Sequence, residues 1–326
     1  MNKIVYFHRN IKAGYSINKV TQTYLSFIPK KEEFYVPCNR ATPFAIFRNL
    51  LFVFFNRNRK CINHITGDIH YCILALWGCK SVLTIHDTFP IHYSNDSGLK
   101  RLFNKLLWFT IPIKLATKVV CISEETRRKV VEISGRKDVE VIMDPLSSSF
   151  LFDEKRVIAS PPKVLIIGTA PNKNLRRTIH ALNGIECQVT IIGRLSDEIH
   201  QELMNNNIFF KNKYNLSDDE IYQEYKKCDI VSFVSLFEGF GMPIIEAQAV
   251  GRIVVTSNLP PMNEIANENN AILVDPYSVE SIKSGFIKAI NQSELRNQLI
   301  HQGKINIQQF EPRVIADQYL RLYEKL

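Results

Sequence analysis

The chain has 326 residues, of which 45% are hydrophobic and 22% are charged. This composition is normal for a globular protein, and it excludes a disordered chain, a collagen-like repeat and a small disulfide scaffold. Domains usually contain roughly 100–200 residues, so the length predicts two domains. The formal net charge of +9 is uneven, because residues 1–150 carry 22 Lys and Arg against 11 Asp and Glu, whereas residues 151–326 carry 19 against 21. The basic half could bind a nucleic acid, an anionic membrane or a phosphorylated substrate.

The cysteines and the N-terminus indicate the cellular setting. The seven cysteines are an odd number without a Cys-x-x-Cys pair, which favours buried thiols in a reducing cytosol. The first residues lead directly into a strand pattern, with no apolar segment typical of a signal peptide. The longest aliphatic and aromatic run, Leu50–Phe55, is far shorter than the about 20 residues that span a bilayer. We therefore expect a cytoplasmic protein without a transmembrane helix.

Twelve short apolar runs alternate with helical patterns, which is typical of parallel sheets covered by helices on both faces. In the first half the predicted strands are Ile4–Phe7, Phe34–Val36, Asn63–Ile65, Val82–Ile85, Lys118–Ile122 and Val139–Ile142. In the second half they are Lys163–Ile167, Val189–Ile192, Ile208–Lys211, Ile230–Val234, Ile253–Thr256 and Ala271–Val274. The pattern predicts an α/β protein.

The strand pattern is interrupted after Asp144, where a proline and three serines follow, so we place a linker within residues 145–162. The expected domains are residues 1–150 and 151–310, and residues 311–326 are expected to form a helix that packs back toward the first domain. Two doubly wound, Rossmann-like domains would face each other across a cleft. Ligands of such sheets bind outside the carboxyl ends of the strands.

Several familiar motifs are missing from the sequence. No G-x-G-x-x-G follows the first predicted strand, which argues against a nicotinamide or flavin enzyme. The motif G-x-x-x-x-G-K-[ST] is also absent, which argues against an ordinary NTPase. The chain also has no cluster with the spacing of a structural zinc site, no G-x-S-x-G and no H-E-x-x-H. We expect neither a metal nor a cofactor.

The most informative segment runs from residue 235 to residue 251. A predicted strand ends near Ser235, and Pro243 is suited to the first position of a helix that Gly251 would end. A helix N-terminus preceded by a loop with Gly239 and Gly241 can present backbone N–H groups to an anion at close range. The segment therefore predicts an anion site.

Two carboxylates bracket this loop, Glu238 within it and Glu246 in the helix. Carboxylates are poor partners for a phosphate but good acceptors for hydroxyl groups, so a nucleotide-sugar, with its ribose, diphosphate and hexose, suits the whole segment. The alternative is a plain strand–turn–helix corner with a capping glutamate.

The run E-G-F-G-M-P-x-x-E resembles the E-x7-E signature of retaining glycosyltransferases of the GT-B fold, glycosyltransferase family 4. The resemblance extends to Val164–Thr169 with Lys173, to Asn258–Glu264 and to Val274–Pro276, and more weakly to Thr84–Asp87. It is strong over residues 160–290, moderate over 80–130 and faint before 80.

The resemblance implies a role for each matching residue. In the catalytic centre, Glu238 would contact the donor sugar, Lys173 would neutralise the diphosphate, and His86 would face the anomeric centre. The second glutamate, Glu246, would bind the ribose hydroxyls. The remaining donor-binding positions are Gly239, Phe240, Gly241, Met242, Gly168, Thr169, Asn174 and Asn212, and a shortened loop of Gly14, Tyr15 and Ser16 would lie on the acceptor side, in the first domain.

One departure from the family pattern concerns charge at the diphosphate site. Family members often carry an arginine where this chain has Thr169 or Asn172. Arg176, Arg177 or Arg194 is a candidate replacement. Without the resemblance, Lys173 could equally be a surface lysine and His86 a structural histidine.

The family also implies the type of reaction. Its members use a nucleotide-diphosphate sugar without a metal ion, and they retain the configuration by attack on the face of the leaving group, so that no protein nucleophile is needed. The acceptor would be a glycan or a lipid-linked sugar in surface polysaccharide biosynthesis.

Two basic, apolar stretches, Phe44–Lys60 and Lys100–Lys118, favour peripheral contact with an anionic membrane, and ordinary domain helices with solvated lysines are the alternative. No base-stacking or groove-reading motif accompanies the charge, which argues against nucleic acid. Two other functions stay open: an epimerase or hydrolase of nucleotide-sugars with the same fold, and a transferase-like binding protein without activity.

Overall fold

The computed structural model describes residues 3–13, 16–88, 98–153 and 158–326. The chain forms two compact units, the first of Met1–Pro145 with Pro312–Leu326 and the second of Leu146–Glu311. Each unit contains a six-stranded sheet in which all paired strands are parallel. The predicted α/β class with two parallel sheets is confirmed.

The twelve strands correspond to the twelve predicted runs. The first sheet contains β1 (Ile4–His8), β2 (Lys31–Tyr35), β3 (Ile62–Thr66), β4 (Ser81–Ile85), β5 (Lys118–Cys121) and β6 (Val139–Val141). The second contains β7 (Lys163–Ile167), β8 (Gln188–Ile192), β9 (Phe210–Lys213), β10 (Ile230–Phe233), β11 (Ile253–Ser257) and β12 (Ile272–Val274). Strands β1, β3, β4 and β11 are buried along their whole length, as expected when helices cover both faces.

Most strand boundaries lie within one residue of the prediction, but two strands begin two or three residues away from it. Strand β2 begins at Lys31 rather than Phe34, and β9 begins at Phe210 rather than Ile208. Both strands lie at an edge of their sheet, where pairing with one neighbour sets the length and the side chains are only partly buried. The apolar pattern is therefore a weak guide there.

The helices are α1 (Ser16–Leu25), α2 (Pro43–Asn56), α3 (Gly98–Asn104), α4 (Ile111–Leu115), α5 (Glu124–Ser134), α6 (Leu175–Leu182), α7 (Asp197–Asn205), α8 (Asp218–Lys227), α9 (Met242–Ala249), α10 (Met262–Ile265), α11 (Val279–Asn291), α12 (Ser293–Asn306) and α13 (Pro312–Glu324). A π-helical segment, Lys105–Thr110, joins α3 to α4. Short 3-10 turns cover Ile11–Ala13, His70–Leu76, Pro171–Lys173 and Ile307–Phe310.

The strand order reverses once in each sheet. The first sheet has the order β2-β1-β3-β4-β5-β6, so successive strands are added on opposite sides of the β1–β3 junction. The second has the order β12-β11-β10-β7-β8-β9, and its reversal lies between β7 and β10. Loops leaving the carboxyl ends of two such strands diverge and open a crevice, which is where ligands of these sheets bind.

The C-terminal helix α13 belongs to the first unit and is joined to its sheet by a buried hydrogen-bond network. The Tyr323 hydroxyl lies 2.8 Å from the Tyr6 hydroxyl and 2.7 Å from His64 Nδ1. His64 Nε2 lies 2.7 Å from the Thr84 hydroxyl. Burial lowers the pKa of His64 to about 3, so this histidine is a neutral structural residue.

Helix α2 presents an apolar face to solvent. Its exposed side chains are Phe44, Phe47, Leu51, Phe54 and Phe55, whereas Ala45, Ile46, Asn49 and Val53 pack against the first unit. Among the helices in the described part of the chain, none combines the length and the apolar character needed to cross a membrane.

Candidate active site

The predicted lysine and the first predicted glutamate meet at the β7–β10 junction of the second sheet. Lys173 ends the 3-10 turn after β7, and Glu238 lies in the loop after β10. Lys173 Nζ is 2.6 Å from Glu238 Oε1 and 4.7 Å from the centre of the Phe233 ring. The two charged side chains are 20% and 17% exposed, so their attraction is only partly screened by water.

Asn172 joins the two loops that carry this ion pair. Its carbonyl oxygen accepts a 2.8 Å bond from the Leu236 backbone N–H, and its side-chain amide donates to the Phe237 carbonyl at 3.0 Å and to Glu238 Oε1 at 3.2 Å. This is one of the positions where family members often carry an arginine. Here an uncharged amide fixes the loop, so the positive charge near Glu238 comes from Lys173.

Gly168 makes room for the lysine. It adopts a φ of +90°, and a Cβ atom there would lie 2.8 Å from Lys173 Cε. The neighbouring Thr169 hydroxyl donates to the Arg194 carbonyl at 2.7 Å, which ties the end of β7 to the end of β8. Side chains larger than hydrogen at position 168 would displace the lysine.

The second glutamate is held by a residue that the sequence analysis missed. Glu246 lies in α9, which begins at Met242, one residue before the predicted start at Pro243. The buried Tyr225 hydroxyl, on α8, donates to Glu246 Oε2 at 2.6 Å. Burial and the nearby Glu246 charge raise the pKa of Tyr225 well above its usual range, so the phenol stays protonated. No motif identifies Tyr225, because its contact depends on how two helices pack.

Two predicted donor-binding side chains are engaged within the unit instead. Phe240 is buried and its ring packs edge-on against Phe310 at 5.9 Å. Asn174 is also buried, and its amide donates to the Pro276 carbonyl at 2.6 Å while its oxygen accepts from Arg177 at 3.0 Å. Both side chains are therefore occupied within the second unit.

The predicted donor-binding residue Asn212 lies in the edge strand of the same sheet. Asn212, in β9, donates to the carbonyls of Ile191 at 3.1 Å and Gly193 at 2.7 Å, which fixes the end of β8 against β9. The Arg194 guanidinium lies 5.3 Å from the centre of the Tyr214 ring. A flat nucleobase could stack on the exposed Tyr214 ring.

The three arginines proposed to replace the family charge differ in their contacts. Arg176 forms ion pairs with Glu198 at 2.6 Å and Glu202 at 3.4 Å, so it is a neutralised surface residue. Arg177 lies over the Tyr277 ring at 5.7 Å. Arg194 follows β8 at the carboxyl edge and forms no ion pair with any residue that the structure describes, which makes it the best placed of the three.

In the first unit, His86 follows β4 and is almost fully buried. Its Nδ1 is 3.8 Å from Asp144 Oδ2, and its Nε2 has no hydrogen-bond partner within residues 3–13, 16–88, 98–153 and 158–326. Of the predicted acceptor loop, Gly14 and Tyr15 lie outside the described residues, and Ser16 begins α1. The same described ranges contain no group of three or more His, Cys, Asp or Glu that could hold a metal ion.

Comparison with family models finds two adjacent matches. Residues 27–144 match the model described as Glycosyltransferase Family 4, and residues 149–305 match Glycosyl transferases group 1. Together the two models cover most of both units and include the whole Lys173, Glu238 and Glu246 region.

Individual proteins similar to this chain are distant. An uncharacterized glycosyltransferase of Methanocaldococcus jannaschii is 24% identical over 78% of this chain and 72% of its own length. The O-antigen chain mannosyltransferase RfbU of Salmonella typhimurium is 24% identical over 74% of this chain and 67% of its own. The serotype-specific mannosyltransferase WbdA of Escherichia coli is also 24% identical, over 68% of this chain, but only 30% of WbdA is covered.

Among solved structures, Anabaena HepE in complex with UDP and glucose aligns over 100% of both chains, with a TM-score of 0.79 and 16% identity. Sucrose-phosphate synthase from Thermosynechococcus elongatus aligns over 99% of this chain and 98% of its own, with a TM-score of 0.80 and 15% identity. At these identities the likeness concerns the fold, and both proteins share the two-sheet architecture.

Proposed function

Because the chain belongs to glycosyltransferase family 4 and has the GT-B fold, we propose that it transfers a sugar from a nucleotide-diphosphate sugar to a glycan or lipid-linked acceptor, with retention of configuration. The observation that carries this proposal is the Lys173–Glu238 ion pair at the switch point of the second sheet, with Glu246 on the helix that follows the same loop. The O-antigen mannosyltransferases among its relatives support a role in polysaccharide biosynthesis. A HepE structure with UDP-glucose supports the donor class.

Lys173 stabilises the leaving group in this proposal. Negative charge builds on the departing diphosphate as the glycosidic bond breaks, and a fixed cation stabilises that charge where it develops. The ammonium group has three donors, of which one is directed at Glu238 Oε1. The backbone amides that precede α9 and the helix dipole add to the same effect, and they do the work that a divalent cation does in other transferases.

Glu238 and Glu246 orient the two ends of the donor. From the residues that the structure describes, Glu238 accepts hydrogen bonds from Asn172 and Lys173 on Oε1, and we assign Oε2 to a hydroxyl of the donor sugar. Glu246 accepts from Tyr225 on Oε2, and we assign this carboxylate to the ribose hydroxyls. Tyr225 is therefore a positioning residue that fixes the carboxylate.

His86 is the residue of the first unit to which we assign a ligand contact. Its buried Nε2 lacks a partner in the described part of the chain, and such a group is stabilised when a ligand supplies the missing hydrogen bond. A hydroxyl of the donor sugar is the ligand group we assign to it. In this proposal the acceptor hydroxyl attacks on the side that the diphosphate leaves, so that no side chain is needed as a nucleophile.

We further propose that the exposed face of α2 rests on an anionic membrane. Five large apolar side chains on this helix are exposed, and the four basic residues Arg48, Arg57, Arg59 and Lys60 lie on the helix or directly after it. Aromatic side chains insert at the interface between headgroups and acyl chains, while basic residues are attracted to anionic headgroups. A lipid-linked acceptor would reach the protein at such a surface.

The donor site is tested by calorimetry with a panel of nucleoside diphosphates and nucleotide-sugars. We expect saturable binding of the nucleotides that carry one particular base. Glu246→Gln should weaken their affinity at least tenfold, since a charged hydrogen bond to ribose contributes about 1.5–3 kcal/mol. The matched control is Glu268→Gln, an exposed glutamate of the same unit, which should leave binding unchanged. A folded protein that binds none of the panel would contradict the proposed donor.

A further inference from the structure

A pocket opens at the switch point of the first sheet, away from the residues discussed so far. Arg9 and Asn10, which follow β1, form one wall, and Asp68, which follows β3, forms another. These are the two strands between which the order of the first sheet reverses. A crevice at this position is where a doubly wound sheet binds a ligand.

Arg9 is a buried cation that its surroundings do not satisfy. The residue is 7% exposed, and its Nε forms no hydrogen bond within the described part of the chain. Its nearest carboxylate, Asp68 Oδ2, is 3.7 Å from Nη1, which is too far for a hydrogen bond. A buried guanidinium that lacks hydrogen bonds is costly, and an anionic ligand in the pocket would supply them.

The Arg9 side chain runs beside Gly67, which adopts a φ of +98°; a Cβ atom built there would lie 3.7 Å from both Cγ and Cδ of Arg9. The next residue, Asn10, is anchored, because its amide donates to the Val36 carbonyl at 2.9 Å and the Pro37 carbonyl at 3.0 Å.

The opposite side of the pocket is aromatic. The Trp108 indole N–H donates to the Asp68 carbonyl at 2.8 Å, and the Trp108 ring packs against Tyr71 with centroids 4.9 Å apart. Aromatic rings beside hydrogen-bonding groups suit a sugar, which has an apolar face and polar edges. The cavity volume of about 90 Å³ is well below the roughly 300 Å³ of pockets that enclose a whole drug-sized ligand, so it suits one charged group and part of a ring.

We propose that this pocket binds the acceptor through an oxyanion carried by its sugar, either a carboxylate or a phosphate, and that Arg9 is the residue that selects for it. This inference rests on the proposed transferase function, for which it names the class of acceptor. Arg40, which also lines the pocket, adds positive charge, so the acceptor is expected to be acidic.

The experiment compares three small probes by calorimetry, each with the nucleoside diphosphate that the protein binds present in excess to fill the donor site. Methyl glucuronoside carries a carboxylate, glucose 1-phosphate carries a phosphate, and methyl glucoside is neutral. We expect one charged probe to bind at least tenfold more tightly than the neutral one, which also identifies the anion. Equal affinity for all three, or binding of none, would overturn the inference.

Variants assign the selectivity to Arg9. Arg9→Met should abolish the preference for the charged probe, Arg9→Lys should retain part of it, and Arg313→Met, an exposed arginine of the same unit, should retain all of it. Asp68→Asn covers the case in which Arg9→Met does not fold. The Asp68 side chain is 60% exposed. Removing its charge should raise the affinity for the charged probe about threefold, because the nearest competing anion is gone. No change in this variant would contradict the assignment.

The donor measurement separates this inference from the function on which it rests. Nucleoside diphosphate binding should be the same in Arg9→Met and the native protein, since Arg9 belongs to the first unit and the donor residues to the second. If the native protein binds a nucleoside diphosphate but shows no preference for a charged probe, or if Arg9→Met keeps that preference, only the acceptor inference is overturned. Absence of donor binding in the native protein would contradict the proposed function itself.

Discussion

The two sheets share a plan but differ in how the charged groups at their switch points are satisfied. In the second sheet, Lys173 is 2.6 Å from Glu238, and Glu246 accepts a hydrogen bond from Tyr225. In the first sheet, Arg9 Nε lacks a partner among the residues that the structure describes. The second unit therefore satisfies its charged groups with its own side chains, whereas the first leaves an arginine donor without a partner from the described residues.

The largest effect should follow from breaking the charge arrangement of the second unit. Lys173→Ala removes the cation at the proposed leaving group, and loss of one such stabilising group lowers kcat by about 10²–10³-fold. The measurement is kcat at saturating donor and acceptor. Lys211→Ala, on the exposed edge strand of the same sheet, is the control and should keep full activity.

A pairing test sharpens this result. Glu238→Gln alone should also lower kcat, and the double variant with Lys173→Ala should lose less than the product of the two single losses, because each residue orients the other. Fully multiplicative losses would show that the 2.6 Å ion pair is not part of the working site.

The two units should also respond differently to acid. His64 is buried with its pKa lowered to about 3, so between that pH and the usual value of about 6.5 only the unfolded chain binds the proton. The contribution of neutral His64 to the free energy of unfolding is therefore complete above pH 6.5. It falls with the pH by about 1.4 kcal/mol per pH unit, or about 2 kcal/mol between pH 6.5 and 5. The buried His70, whose pKa burial also lowers, acts in the same direction.

Tryptophan fluorescence can follow this loss selectively, because Trp77 and Trp108, the two tryptophans of the chain, both lie in the first unit. Urea unfolding at pH 7 and pH 5, followed by fluorescence, should show the difference in free energy. We expect His64→Gln to be less stable at pH 7 and to have a free energy of unfolding that depends less on pH. An unchanged slope in that variant would assign the acid sensitivity to other groups.

The difference in charge between the two units predicts which one binds a membrane. Phe47→Ser with Phe55→Ser on α2 should reduce binding to anionic vesicles at least tenfold, because full burial of each phenylalanine contributes about 1.5–3 kcal/mol. Co-sedimentation with vesicles at low and high salt measures this. Phe209→Ser, an equally exposed phenylalanine of the second unit, is the control. Equal binding by native protein to neutral and anionic vesicles would contradict the electrostatic part of the proposal.

Much of the fold follows from local sequence, and the exceptions have a common cause. Strand existence was predictable because buried parallel strands are continuous apolar runs, as at Ile4–His8. The start of β2 at Lys31 was not, since an edge strand is paired on one side and its outer residues are polar. Boundaries there depend on hydrogen bonding to the neighbouring strand, which leaves no hydrophobic pattern.

The candidate sites likewise contain some residues that a local motif reveals and others that only the packing reveals. Glu238 and Glu246 were predictable because their spacing, with two glycines and a proline between them, belongs to one contiguous loop and helix. Arg9 and Tyr225 were not, because their significance comes from burial and from neighbours distant in sequence. A buried arginine and a surface arginine look identical in a sequence, and only packing distinguishes them.

The smallest predicted effect tests whether the second unit holds Glu246 in place. Tyr225→Phe removes only the hydroxyl that donates to Glu246, and should weaken nucleoside diphosphate binding about three- to tenfold, or about 0.6–1.4 kcal/mol. Tyr222→Phe, on the same helix, is the matched control, because its hydroxyl donates to the Leu151 carbonyl instead. We expect kcat at saturating donor to be unchanged in both variants, since the ribose contact does not alter during the reaction. A fall in kcat with unaltered donor affinity would mean that Tyr225 and Glu246 act on the reacting sugar, and the assignment of the two glutamates would then have to be exchanged.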